Sequence, residues 1–380
     1  MNTTTFVSSA LDRMFERPGG LYGGFEDLPV ISHTGHLRRM ELLDALEIGD
    51  VTVLTCLDFG MGSWGFASTF PKLHHCRRAI GMDLSRSALD QTVRLANENN
   101  HPYAKEFSVQ QSDGMNLPLK DESVDLVFSG ESIEHTRFPW RFLSECHRVL
   151  KPNGQIVITT PNRDALLYQK VGEEYCTSPE HFWLFNFPEA VAVISEFFDI
   201  IEKYGFNGTI GPDLDKAFTN RTLAERWSSA FLNQPELSSS LIFRARKKDK
   251  IEHRYVISDI PASSITLPKS PTHLDLEFGL KGVLLDSAEK HVTVLRPASD
   301  GVVCRLWSHR WSGHATIKTV TGQDRFDLYT AVPGWKNWKC DRATSSPEKI
   351  TICHSGQKNR LSLNDQVIFF EAFTYKKEPA

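Results

Sequence analysis

At 380 residues, with 40% apolar and 24% charged side chains, the chain is long enough for two folded units, and its make-up is globular rather than disordered or fibrous. A formal net charge of -4 and a sequence pI of about 6.4 leave no chain-wide basic field of the kind that gathers nucleic acid or anionic membrane. The basic run "RARKKDK" from Arg244 is a strand end entering a linker.

The opening "MNTTTFVSSALDRMFERPGG" lacks the basic start and apolar stretch of a signal peptide, and no apolar run is long enough to span a bilayer. Seven scattered cysteines without a C-x-x-C pair suit small core residues in a reducing compartment, not a disulfide framework or a zinc site. A cytoplasmic protein, without membrane insertion and without a nucleic-acid partner, is the expectation.

From Val51 to about Lys247, β-type and helix-type runs alternate. "VTVLTCLDFG" and "AIGMD" read as strands. "SRSALDQTVRLANEN" reads as a helix with Ser85 as N-cap, because Leu89, Val93 and Ala96 recur at helical spacing. "FSVQQSD" and "SVDLVFSG" are short strands. In "FPWRFLSECHRVLKPNG", Phe142, Leu143, Cys146, Val149 and Leu150 share a helical face, and Pro152 and Gly154 stop the helix before the strand "QIVITTP". Such alternation predicts a parallel, doubly wound sheet. From 162 to about 235 lies an insertion or lid, with a helix at "EAVAVISE", a strand at "FFDIIEKYGF" and a loop at "NGTIGPDLDKAF"; "SSLIFRARK" supplies a last strand. After the polar stretch "KKDKIEHRY" the runs turn short and alternating, from "HLDLEF" through "VVCRLWSHRW" to "DQVIFFEAFTY". They predict an all-β sandwich or jelly-roll module over 252–380, following an α/β domain over 1–248.

Gly60, Gly62 and Gly65 form G-x-G-x-x-G after a strand, and Asp83 ends the next strand, where an acid takes a ribose diol. Alone, this fits a nicotinamide dehydrogenase equally well. Asp58 changes the balance: a carboxylate two places before the first glycine repels a pyrophosphate and attracts a donor carrying ammonium and sulfonium charges. With Asp113 and Glu131 bordering the same crevice, four acids favour S-adenosylmethionine as cofactor over a dianionic dinucleotide. Asp113 is placed to accept from the adenine amine, with Met115 or Leu117 as an apolar wall, and Leu84 and Gly114 complete the two cofactor loops. The alternatives are a turn cap for Asp58, an N-cap for Asp83 and an ordinary turn for Asp113.

Taken in order, "LDFGMGSWG", "AIGMDLS", "QSDGMNLPLKDESVDLVFSGESIEHT" and "FLSECHRVLKPNGQIVITTPN" resemble class I S-adenosylmethionine-dependent methyltransferases, most closely their ubiquinone-pathway-like branch. The resemblance covers about half the chain and implies a Rossmann-like doubly wound sheet, methyl transfer, and cofactor roles for the residues just named. Trp64 departs from it: many members carry the third glycine there, whereas here glycine follows at Gly65.

Methyl transfer from a sulfonium is an in-line displacement, and a hydroxyl acceptor also needs a base. "GESIEHT" offers Glu131, Glu134 and His135; "SPEHFWLFNF" offers Glu180 and His181 among aromatics that either pack a lid helix or wall the acceptor. The catalytic candidates are therefore His135, His181 and Glu131, with either histidine as base and with no metal called for by the spacing. In the resembled family the Glu-His pair often only orients the loop. Tyr168 and Tyr175 are weaker candidates, His36 carries no assignable geometry, and His74 and His75 read as solvated on the side of the first helix. The acceptor is a small molecule or glycan, foremost a hydroxyl of a sugar, glycan precursor or natural product; N- or C-methylation, a dehydrogenase and a non-catalytic cofactor-binding protein are the alternatives. Trp307, Trp311, Trp335 and Trp338 either stack on sugars or fill the β module's core or a homo-oligomer interface.

Overall fold

Thr55–Phe59 (β1), Arg78–Asp83 (β2), Phe107–Gln111 (β3), Val124–Gly130 (β4), Leu150–Pro161 (β5), Phe198–Phe206 (β6) and Ser240–Lys247 (β7) form one sheet in the order β3-β2-β1-β4-β5-β7-β6. The computed structural model describes residues 30–62, 71–98, 106–171, 180–207, 220–276, 280–287, 289–330 and 333–380. The calls on Trp64, Gly65, Tyr175 and the loop "NGTIGPDLDKAF" lie outside them. By contacts the described chain forms an α/β unit, ending at Ile251, and a β unit from Glu252 onward that also takes residues 180–183.

Strands β1 to β5 run parallel, as alternation with helices demands, but β7 lies antiparallel between β5 and β6, so the sheet is mixed. The helices are Val30–Ala45 (α1), Arg86–Glu98 (α2), Pro139–Val149 (α3), Leu166–Val171 (α4), Phe187–Ser195 (α5) and Arg221–Ser229 (α6). Ser85 caps α2 through its hydroxyl, which accepts from Ala88 N at 3.1 Å. Asn186 and Glu189 form a reciprocal capping box on α5. The apolar face of α3 is fully buried at Phe142, Leu143, Cys146 and Val149.

Three expectations are corrected. Val51–Val53 is a single 3-10 turn, not strand, because Asp50 accepts from Thr52 N and closes it. Lys151–Gly154 is a bulged start of β5, with Asn153 at φ 62, so the Pro-Asn-Gly signal bends the strand instead of looping it out. Cys56 and Cys76 form a disulfide: β1 and the turn before β2 bring their Cα atoms to 6.4 Å, a proximity that a spacing of 20 residues does not announce. The cysteine argument for a reducing compartment loses its premise with that pair. Among the described residues no helix is long and apolar enough to cross a membrane.

The β unit is a two-sheet sandwich. Thr272–Asp275 (β10), Lys281–Leu285 (β11), Val367–Pro379 (β18), Gly301–Ser308 (β13) and Gly334–Cys340 (β16) make one sheet, to which His253–Asp259 (β8) adds along β18. Gly322–Asp327 (β15), Gly313–Thr319 (β14), Glu348–Lys358 (β17), His291–Arg296 (β12) and Ile265–Thr266 (β9) make the other. The strand β8 begins inside the stretch expected to be linker, because its pairing to the C-terminal strand overrides its polar composition. Val302, Cys304 and Leu306 of β13 meet Val292, Val294, Ile317, Ile350 and Ile352 in the core between the sheets. The alternate residues of β13, Val303, Arg305 and Trp307, face away from that core and are buried too. Trp338 fills the core, while Trp307 and Trp335 pack edge to face at 4.5 Å on the opposite side. All three are over nine-tenths buried, which withdraws them as sugar platforms; Trp311 alone of the four is exposed.

Candidate active site

The carboxyl ends of β1, β2, β3 and β4 converge on the glycine turn, as the crevice of an open α/β sheet requires. Gly60 and Gly62 have φ of 71 and 60, the left-handed region that a side chain resists. A Cβ on Gly60 would lie 2.3 Å from that of Ser132, so the glycine also lets the loop after β4 press on the turn. Ser132 is itself fixed, its hydroxyl donating to Phe59 O at 3.1 Å and pairing with Ser129 Oγ at 2.6 Å.

Asp83, 6% exposed, ties the turn to the second loop: Oδ2 accepts from Gly62 N at 3.0 Å and Oδ1 from Ser85 N at 2.8 Å. Two backbone donors hold this carboxylate in place at the carboxyl end of β2. Asp58 is fully buried at the end of β1, paired in register with Gly81 and Phe128. In the third loop Asp113 Oδ1 accepts from Met115 N at 2.9 Å, an Asx turn that sets Gly114 at φ 74 against Phe59 and Phe142. Met115 and Leu117 are buried, and Leu84 links Asp83 to the N-cap of α2.

The third loop has a brace that the sequence reading missed. Glu145 of α3, 2% exposed, accepts from Leu117 N at 2.9 Å and from Arg148 at 2.6 and 3.0 Å. Arg148 also donates to Leu117 O at 2.9 Å and Leu119 O at 2.8 Å, and Arg141 Nε to Met115 O at 2.7 Å. Glu145→Ala strips three donors of their acceptor and is expected to cost about 3 kcal/mol of stability. Urea unfolding measures it, and Glu145→Gln, which keeps an acceptor, loses less.

Glu131, first residue after β4, has a φ of 49, a backbone strain held by its N–H donating to Thr159 O at 2.9 Å. Glu134 is 1% exposed and takes a hydrogen bond on Oε2 from Thr160 Oγ1 at 3.1 Å; its Oε1 lies 4.0 Å from His135 Nε2. Glu131 Oε1 and Glu134 Oε1 are shielded from water and accept no hydrogen bond among the described residues. Burial raises both carboxyls: Glu131 against the opposing charge of Arg39 on α1, and Glu134 well above the usual range with Glu131 adding repulsion. Such a pair binds its protons more tightly in the folded chain than in the unfolded one. Its stability contribution is complete below the ordinary carboxylate pKa and is lost as pH rises toward the raised folded value. Glu134→Gln cannot ionise, so its stability relative to wild type is expected to improve from pH 5 to pH 8 in urea titrations; parallel curves contradict the assignment.

His181 lies among residues 180–183, which group with the β unit. No helix forms there: helix α5 starts at Phe187. The expected lid helix is thus replaced by a non-helical segment whose Phe182 packs on Trp335 at 5.7 Å between ring centres and lies 4.5 Å from the Arg305 guanidinium. Asn337 Nδ2 donates to Phe182 O at 2.6 Å, so polar groups of the sandwich bind this backbone in place of a helical ladder.

Residues 57–158 match the family described as methyltransferase domain. A probable S-adenosylmethionine-dependent methyltransferase of Mycolicibacterium smegmatis is 37% identical over 87 residues, 23% of this chain and 31% of that protein. One from Mycobacterium tuberculosis is 33% identical over 141 residues, 37% of this chain and 47% of the relative. A ubiquinone biosynthesis O-methyltransferase of Coxiella burnetii is 29% identical over 123 residues, 31% and 49% of the two chains. The chain thus spans a third to a half of the length of these curated relatives. Among solved structures, the putative methyltransferase crystallised with Haloferax volcanii Trm112 shares 18% identity at a TM-score of 0.43, over 64% of this chain and 97% of that one. Residues 57–158 of the α/β unit are thus a methyltransferase domain, similar to those of S-adenosylmethionine-dependent enzymes. Its cofactor is S-adenosylmethionine, and the crevice fits it: the acids Asp58 and Asp83 are buried at the ends of β1 and β2, beside a turn that carries no side chain at Gly60 or Gly62.

Proposed function

We infer that this chain methylates a hydroxyl of a small polar acceptor, such as a sugar, glycan precursor or natural product. The observation that supports it is the contact of Ser132 with Gly60, which joins the loop bearing Glu131, Glu134 and His135 to the glycine turn. When bound, S-adenosylmethionine supplies an electrophilic methyl group on a sulfonium. Asp83 holds the ribose diol, the Asp113–Leu117 loop receives the adenine, and Asp58 sets a negative potential beside the cationic end.

The acceptor hydroxyl must lose a proton as its oxygen becomes the nucleophile. Glu131, whose buried Oε1 has no hydrogen-bond partner among the described residues and whose carboxyl burial makes more basic, is suited to take that proton, and Glu134 with His135 holds its loop. Among the curated relatives, a malonyl-[acyl-carrier protein] O-methyltransferase and a ubiquinone biosynthesis O-methyltransferase are named for O-methylation. The test is a panel of hydroxylated small molecules incubated with the full chain and S-adenosylmethionine, with products read by mass. A hydroxyl acceptor is expected to be methylated, and Glu131→Gln to lower kcat by about a hundredfold while the cofactor still binds. Methylation of amines alone, or an unaffected Glu131→Gln, contradicts this reading.

A further inference from the structure

One end of the sandwich inverts the usual burial pattern. In the turn after β17, Leu361 is 62% exposed and Leu363 63% exposed, while Ser362 between them is 5% exposed. Hydrophobic side chains normally take the inner positions, and here the hydroxyl does. Hydrogen bonds enforce the arrangement. Ser362 Oγ donates to Arg310 O at 3.1 Å, Leu363 N to Arg310 O at 2.9 Å, and Leu361 N to Asn359 Oδ1 at 2.9 Å. Asn359 is tethered in turn to Asp327 at 2.8 Å.

The partner turn, after β13, carries Trp311, 49% exposed, whose N–H donates to His309 Nδ1 at 3.0 Å and whose C=O accepts from Gln366 N at 2.9 Å. Two hydrogen-bonded turns thus hold three large apolar side chains out in water. Arg310 and Arg360 on the same turns and Lys358 at the end of β17 are exposed, and no acid pairs with them among the described residues. The nearby acids are engaged elsewhere: Asp365 with His354 at 3.1 Å, and Asp327 with Asn359 and Tyr329 N.

We propose that this tip of the β unit docks on an anionic lipid surface, with Trp311, Leu361 and Leu363 entering the headgroup boundary and Arg310, Lys358 and Arg360 meeting lipid phosphates. Aliphatic tips offer a sugar nothing to bond, whereas apolar wedges ringed by unpaired cations are what an interfacial site combines. The attachment is peripheral and local, consistent with an overall charge of -4. Because the tip is pre-formed by its hydrogen bonds, docking costs little ordering.

The full chain is floated with vesicles of phosphatidylcholine, alone or with phosphatidylserine added, at low and high salt. The wild type is expected to float with the mixed vesicles at low salt, and L361S/L363S to lower the floated fraction about tenfold. R310Q/K358Q/R360Q removes the preference for phosphatidylserine and the salt dependence. Both variants keep the thermal transition and the cofactor affinity of the wild type, since the altered side chains stand in water, so failure here leaves the methyl-transfer reading intact. Wild type absent from every vesicle fraction, flotation indifferent to both sets of substitutions, or a wild-type dimer that L361S/L363S dissociates would each overturn the proposal. The last result assigns the face to a second copy of the chain.

Discussion

Replacing Asp83 by alanine weakens binding of S-adenosylmethionine about a hundredfold, roughly 2.7 kcal/mol. The carboxylate receives Gly62 N and Ser85 N at 3.0 and 2.8 Å, so its loss is expected to remove the proposed ribose acceptor and to free both loops that shape the crevice. Asp83→Asn separates the two effects. The amide keeps one oxygen for a backbone donor but presents N–H to a group that already donates, so it should bind almost as poorly while unfolding closer to wild type. Calorimetric titration checks the first statement and urea unfolding the second; affinity within threefold of wild type for Asp83→Ala would remove the residue from the site.

The second large effect falls in the β unit. Arg305 is wholly buried, with Nε donating to Asn337 Oδ1 at 2.7 Å and a terminal nitrogen 2.7 Å from Glu371 Oε1. Its guanidinium lies over Phe182, so one ion pair joins three strands and the 180–183 segment. Arg305→Met leaves the Glu371 carboxylate desolvated beside an apolar chain and is expected to cost about 3–5 kcal/mol. Arg305→Met/Glu371→Leu removes the stranded charge as well and recovers most of that loss. Amide exchange at 180–183 should speed up in the single variant, because Asn337 loses the neighbour that orients its amide. A loss below about 1 kcal/mol, or no recovery in the pair, contradicts this account.

The alternation of helix and strand was legible because burying one face imposes period 3.6 or 2 on the sequence, as in α2 and in β12. The direction of β7 was not, since "SLIFRAR" presents the same buried positions whichever way it runs. The Cys56–Cys76 pairing was hidden for a related reason: proximity arises from β1 and β2 lying side by side, not from spacing. In the turn after β1, Gly60 and Gly62 were readable because left-handed backbone and close approach restrict those positions to few residue types. Glu145 and Arg148 were not, because acid and base three apart on a helix ordinarily read as a solvated pair, and only the fold turns Glu145 inward. Arg39 was equally silent, a cation on an unremarked helix until Glu131 stood near it. The outward leucines at 361 and 363 reversed a pattern that sequence reading takes for granted.

The central claim is that the crevice above β1 and β2 is charged for a sulfonium donor. A crystal structure of the chain grown with S-adenosylhomocysteine and NAD together tests it most directly. The account predicts S-adenosylhomocysteine in the density, its ribose on Asp83 and its adenine beside Met115 and Leu117. NAD over the glycine turn, with its pyrophosphate near Asp58, would contradict it.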